Sequence, residues 1–359
     1  MIKQISNSYC CVGLMSGTSL DGLDLVLCQL DFSNNTWEYK LIKTRTKPYS
    51  EYWLKALKNA LELGGEDLMR LNREYGKWLG EQVKDFIEGE EKVPDFVASH
   101  GHTLFHDPEN QFNFQLGDGA ALAAACGLTT VCDFRSMDVC LKGQGAPLVP
   151  IGDAYLFSEY DACVNLGGFA NVSVKLNDKR RAWDICPVNT VLNKLTNYLC
   201  LPFDYNGEIG RKGEVLPGLL KQLNILPYYQ ETCPKSLANE WLIEQFYPCV
   251  NSFINESVPD LLRTCYEHFS LQIASDINKV TNGKILFTGG GAYNTFLIEL
   301  IQSKLSGELI IPSSDLVEYK EALIFAFLGA LRISNQMNCL QEVTGADNDS
   351  CSGAVYSGK

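Results

Sequence analysis

The sequence predicts a two-lobed α/β protein built by internal duplication. Three observations carry this expectation. Short apolar strands alternate with helical stretches along the chain. Two units of strand, small-residue turn and second strand lie about 150 residues apart. The 359 residues suffice for two lobes, each burying its own core. The N-terminal lobe is expected to comprise residues 1–130 plus 336–359, and the C-terminal lobe residues 131–335. A ligand is expected in a cleft between them, where both turns can face it.

Residues 8–31 read as a β-hairpin, with apolar runs from Tyr9 to Met15 and from Leu23 to Leu30 around the turn Ser16–Gly22. Trp37 to Thr44 adds a strand. Helices are predicted over 50–63 and 65–88; in the second, Leu68, Leu71, Tyr75, Leu79, Val83 and Ile87 recur at three- and four-residue spacing. Phe96-Val97-Ala98 is a short strand ending at Ser99-His100-Gly101, followed by a helix over 120–126 and a strand over 129–134. The stretch 161–174 then repeats the opening theme. Trp183 to Ile185 is a strand and 188–199 a helix. The last third is mainly helical (236–246, 257–281, 292–304 and 318–333), interrupted by the strand Lys284–Thr288 with its glycine turn.

Composition excludes several classes. Hydrophobic residues make up 46% and charged residues 20%, which are globular values. No apolar run reaches the ~18 residues that a membrane span needs, and the first residues lack a secretory apolar stretch, so a cytoplasmic protein is expected. The net charge of −13, with no basic stripe, argues against nucleic acid. Fourteen cysteines form no CxxC pair and sit mostly in apolar runs, which suits buried thiols in a reducing compartment.

Three turns can carry chemistry. In Gly13–Asp24, glycines allow close approach of a phosphate, Ser16, Thr18 and Ser19 add hydroxyls, and Asp21 and Asp24 offer oxygens to Mg²⁺. An ordinary polar hairpin turn has the same composition, and the Walker spacing with its lysine is missing. Asn165-Leu166-Gly167-Gly168 follows the same logic. Gly289-Gly290-Gly291 lies between a strand and a helix, where a flat ring or a phosphate can rest on the backbone. Asp184, at a strand end ahead of a helix, is either a cap or a proton acceptor. Three of the four histidines fall in Ser99–His106, with a hydrogen-bonding role to a polar ligand or to the second hairpin. Residues 142–150 read as a rigid loop, either structural or a lip over the cleft.

Taken together, GLMSGTSLDGLD (13–24), SHGHTLFH (99–106), QLGD (115–118), DFRSMD (133–138), GQGAPLVP (143–150), NLGGFANVSV (165–174), FDYNGEIGRKGEV (203–215), PKS (234–236), TGGGAYN (288–294), EALIFAFLG (321–329) and VTGA (343–346) resemble the anhydro-N-acetylmuramic acid kinases. These belong to the superfamily of sugar kinases, actin and heat-shock chaperone ATPases, with duplicated ribonuclease H-like lobes. The resemblance implies ATP and Mg²⁺ as cofactors, a sugar substrate, a homodimer and a role in cell-wall recycling. It implies Asp184 as the catalytic base. It places ATP phosphates on Gly17, Thr18, Ser19, Leu20, Asp21, Gly22, Leu23 and Asp24, with Asn165, Gly167 and Gly168, and adenosine on Gly289, Gly290 and Gly291. Asp21 and Asp24 would hold the metal. Thr18, His100, Arg135, Asn189 and Glu321 would contact the sugar.

The chain departs from the family pattern in places. The usual Asp-Thr-Gly-Pro-Gly-Asn is Asp184-Ile185-Cys186-Pro187-Val188-Asn189, and the usual Phe-Arg-Arg-Arg-Asp is Phe134-Arg135-Ser136-Met137-Asp138. The usual His-Gly-Gln-Thr is His100-Gly101-His102-Thr103. A related kinase for another anhydro- or amino-sugar, or a non-catalytic actin-type ATP binder, are the competing readings. Retention of Asp184 argues against the binder.

Overall fold

The computed structural model describes residues 8–17, 20–177, 179–233 and 235–358. Contacts divide the chain into two compact units, Met1–Leu156 with Tyr319–Lys359, and Phe157–Glu318. The divisions lie at 156/157 and 318/319 rather than at 130/131 and 335/336. The reason is local: residues 130–132 form a strand of the first sheet, and the following loop is hydrogen-bonded to residues 339–344.

In the first unit, β1 (Ser8–Ser16), β2 (Leu23–Ser33) and β3 (Thr36–Lys47) form an antiparallel meander. The strands β4 (Phe96–Asp107) and β6 (Thr130–Cys132) extend it in parallel beyond β1. Two antiparallel strands, β5 (Phe112–Leu116) on β4 and β12 (Ala354–Tyr356) on β6, complete the sheet. The second unit repeats the plan. β7 (Ala162–Leu166), β8 (Phe169–Leu176) and β9 (Lys179–Pro187) form the meander, and β10 (Lys284–Thr288) and β11 (Glu308–Ile310) the parallel extension. The sheet orders β6-β4-β1-β2-β3 and β11-β10-β7-β8-β9 are therefore the same topology, fifth-fourth-first-second-third in chain order. This ribonuclease H-like order, present twice, is the duplication expected from the two turns.

Physical chemistry explains the arrangement. Hairpins join the antiparallel strands directly, whereas parallel neighbours need crossovers long enough to hold helices. Residues 51–86 serve between β3 and β4, and residues 189–278 between β9 and β10. The amphipathic helix Gly65–Phe86 lays Leu71, Tyr75, Leu79 and Val83 on the first sheet, where Val12, Leu14, Leu25 and Val97 complete the core. In the second unit Val164, Val172, Ile185, Phe287 and the long helix Val258–Asn278 build a separate core. No helix among the described residues is long and apolar enough to cross a membrane.

β4 runs on to Asp107 instead of ending at Ser99, because β5 supplies a new partner from His102 onward. The predicted helix 236–246 is instead a short helix at Asn239–Trp241, a π-helical turn at Leu242–Phe246 and a further turn at Tyr247–Asn251.

Close packing on β1 yields a sharp prediction. A Cβ on Gly13 would collide with the Ala322 carbonyl and come within 3.0 Å of the Ala326 Cβ, both on the helix Ser314–Ile333. Gly13→Ala is expected to destabilise the fold by about 2–3 kcal/mol, seen as a lower midpoint in thermal denaturation. An unchanged midpoint would show that the helix can retreat.

Candidate active site

In the first unit the β1–β2 hairpin carries the turn Gly17–Gly22. Thr18 and Ser19 lie outside the described residues. The Leu20 amide donates to the Gly17 carbonyl at 3.3 Å, and Leu20 adopts a positive φ of 61°. Gly22 is required by close approach: a Cβ there would lie 2.7 Å from the Lys47 carbonyl oxygen. Leu23 is buried at the first position of β2, so its side chain serves the core. Asp21 is exposed and Asp24 half-buried, with Asp24 Oδ1 accepting from Thr46 Oγ1 at 2.6 Å. Among the described residues no three His, Cys, Asp or Glu side chains converge as a metal site. Two carboxylates at one turn nevertheless suit Mg²⁺, which keeps several waters and completes its shell with substrate phosphates.

Below the turn, Ser16 Oγ lies 2.7 Å from Tyr49 OH and 3.0 Å from His102 Nδ1, and Tyr49 OH is 2.6 Å from Tyr75 OH. The second histidine thus braces the first hairpin and not the second. Burial holds its imidazole below the ordinary value, keeping a neutral ring in that network.

His100 and Arg135 meet directly. His100 Nε2 lies 3.2 Å from Arg135 Nε and 2.9 Å from Arg135 Nη2. A guanidinium only donates, so Nε2 is the acceptor and the imidazole proton sits on Nδ1. Burial, with the neighbouring positive charge, holds the His100 pKa well below its ordinary value. Its Nδ1 is buried without a partner among the described residues. Burial likewise lowers the Arg135 pKa, while the Glu321 carboxylate opposes that shift. Glu321 is raised by burial, against the opposing Lys320 and Arg135 charges; Asp24 adds to the rise. Asp24, His100, Arg135 and Glu321 therefore share one electrostatic neighbourhood.

A cavity of ≈ 210 Å³ opens beside this group within the same unit, lined by His100, Asn113, Gln115, Asp118, Asp133 and Ser136 among others. Gln115 Oε1 accepts from Asn113 Nδ2 at 2.9 Å, and Gln115 Nε2 is a second buried donor without a partner. Orphaned buried donors are costly unless a ligand or water completes them. The runs 115–118 and 133–138 stood out in the sequence, but only the fold joins them in one wall. Ser136 lines this cavity, whereas Met137 is exposed.

Residues 142–150 are pinned. Buried Asp138 accepts from the Gly145 amide at 2.7 Å and from Thr344 Oγ1 at 2.7 Å, and Arg135 Nη1 donates to the Gly145 carbonyl. The loop thereby sets the guanidinium that faces His100, which makes it structural.

In the second unit three predicted pieces meet. A Cβ on Gly289 (φ 81°) would strike Asn165 Oδ1, and one on Gly291 would lie 2.8 Å from the Leu166 Cβ and 3.5 Å from Asn189 Nδ2. Asn189 Nδ2 donates to the Leu166 carbonyl at 3.3 Å, and its amide to that of Gly167 at 3.3 Å. Gly168 is exposed, and a Cβ on Gly290 would meet nothing within 4 Å. The two glycine turns and Asn189 thus form one small-residue surface, open at Gly168 and Gly290.

Asp184 lies on β9 at a β-bulge: Asn171 pairs with Asp184 and Ala170 with Cys186, leaving Ile185 as the extra residue. Its Oδ2 accepts from the Leu237 amide at 2.8 Å and from Ser236 Oγ at 3.1 Å. Burial raises the Asp184 pKa, and these two donors oppose the rise. Asp184 does not cap the following helix; its carboxylate turns to the 235–237 segment. Ile185, Cys186 and Val188 are fully buried in the core, so the substitutions there alter packing. Burial drives the Cys186 thiol far above its ordinary value, which excludes it as a nucleophile.

Residues 9–358 match the family model "Anhydro-N-acetylmuramic acid kinase". The anhydro-N-acetylmuramic acid kinase of Francisella tularensis subsp. novicida is 34% identical, with 94% of this chain and 95% of that protein covered. The enzyme of the same name from Sulfurovum sp. is 32% identical over 96% of this chain and 98% of its own length. Among solved structures, component A of (R)-2-hydroxyglutaryl-CoA dehydratase from Acidaminococcus fermentans aligns over 92% of this chain and 100% of that chain, at 12% identity and a TM-score of 0.47. With the match running nearly end to end, this chain belongs to the anhydro-N-acetylmuramic acid kinase family.

Proposed function

We propose that this chain converts ATP, water and 1,6-anhydro-N-acetylmuramic acid into ADP and N-acetylmuramic acid 6-phosphate, as a sugar kinase of cell-wall recycling. The observation that carries the reading is family membership across residues 9–358. It is supported by a half-buried carboxylate, Asp184, whose pKa partial burial raises against the opposing pull of its two donors.

Asp184 takes the proton of a water that attacks the anomeric carbon. The bond from that carbon to O6 breaks, and the departing O6 takes the γ-phosphoryl group. The first half resembles general-base attack in an inverting glycosidase; in the second the protein positions groups and neutralises charge. Gly17–Asp24, with Asn165, Gly167 and Gly168, are assigned to the phosphates, and Gly289–Gly291 to the adenosine. Asp21 and Asp24 would hold Mg²⁺, which supplies charge neutralisation on the phosphates. Thr18, His100, Arg135, Asn189 and Glu321 are assigned to the sugar, and the unpartnered His100 Nδ1 offers a donor for it. Because Ile185, Cys186 and Val188 are core residues, they give no reason to choose a different sugar. The reading carries a cytoplasmic location and a homodimer.

The test is ADP release from purified protein with Mg-ATP, with and without the anhydro-sugar. ADP formation that requires the sugar is expected. ATP turnover indifferent to the sugar would overturn the substrate assignment.

A further inference from the structure

We propose that Ser236 and the Leu237 amide are a positioning pair that holds Asp184 through Oδ2 and leaves Oδ1 as the oxygen that receives the proton. The proposal rests on Asp184 being the general base. It starts from how completely the residue is tied. The Asp184 amide donates to the Lys235 carbonyl at 3.0 Å, and the Asp184 carbonyl accepts from Tyr228 OH at 2.6 Å. Oδ2 takes the Ser236 and Leu237 donors at 3.1 and 2.8 Å. Among the described residues nothing bonds to Oδ1. A carboxylate fixed at three of its four polar groups, with its backbone bulged at Ile185, presents one acceptor in one orientation.

The clamp is itself anchored. Lys235 is 3% exposed at its side chain; its Nζ donates to the Tyr228 carbonyl at 3.2 Å, lies 4.5 Å from the centre of the Tyr228 ring and 3.9 Å from Asp276. Segment 235–237 therefore cannot drift from β9 without undoing a buried cation. The other ionisable groups around Asp184 are Cys186 on its own strand, Tyr228 and Lys235, and Asp276, which pairs with Lys279 at 2.9 Å. Ser236 is exposed, so its removal leaves the core intact.

The sign of the pH effect follows from the donor. A base works when ionised, and a hydrogen bond to the carboxylate favours that form. Losing the Ser236 hydroxyl therefore raises the Asp184 pKa and moves the acid limb of the kcat profile to higher pH. The expected displacement is about half to one pH unit. The test compares wild type, Ser236→Ala and Ser236→Thr in kcat–pH profiles and in a ¹³C titration of the Asp184 carboxyl. Ser236→Ala is expected to shift both readouts upward together with KM for ATP unchanged, and Ser236→Thr to restore them. An unmoved titration and limb, with Asp184→Asn inactive, would overturn the clamp and spare the base. An active Asp184→Asn enzyme would overturn the base, and the clamp's catalytic role with it.

Discussion

Asp184→Asn is expected to reduce sugar-dependent ADP formation by about 10²–10⁴-fold, the usual contribution of a positioned proton acceptor. The substitution is nearly isosteric, and the Asn oxygen can still accept from the Leu237 amide, which now lies 2.8 Å from Oδ2. Folding should therefore persist, and the loss should fall on kcat with KM for the sugar little altered. Steady-state kinetics beside a thermal melt separates these effects. Retention of most of the sugar-dependent rate in a folded variant would remove Asp184 from the chemistry. A uniform rise in KM would make it a binding residue instead.

The second large effect concerns stability. Asp138 is fully buried and satisfies three donors: the Gly145 amide, Thr344 Oγ1 and Cys339 Sγ, the last at 3.0 Å. Asp138→Ala strands these groups without water. Loss of a buried network of this kind costs about 3 kcal/mol, which corresponds to a fall of roughly 6–12 °C in Tm. Since Gly145 also accepts from Arg135, the guanidinium loses its anchor and KM for the sugar should rise. Calorimetry and kinetics on one preparation check both. An unchanged Tm would mean that the loop 142–150 holds itself without Asp138.

Much of this protein was legible before folding. The two hairpin units and the glycine turns announced themselves through residue types confined by physics to tight turns, whereas Asp184, which lies at a bulge within β9 and not at its end, stood out through the family resemblance. The duplication was visible as a repeated theme, and the sheets carry it as one strand order used twice. Less legible was everything that depends on partners distant in sequence. β4 was cut short at Ser99 because nothing local reveals that β5 pairs with it from His102 onward. The segment expected as a helix over 236–246 also reaches Asp184 through the Leu237 amide, and it becomes helical only at Asn239.

The same division holds in the candidate site. By itself the sequence determined the family and the duplicated α/β plan, because motif and period are local properties of the chain. Only the tertiary structure decided that Ile185, Cys186 and Val188 are core, that His102 braces the first hairpin, and that Ser236 and Leu237 hold Asp184. Each of these depends on burial and on hydrogen bonds between residues up to 86 positions apart. Such contacts exist only once the sheets have formed, since it is their assembly that removes water and brings the distant donors to their acceptors.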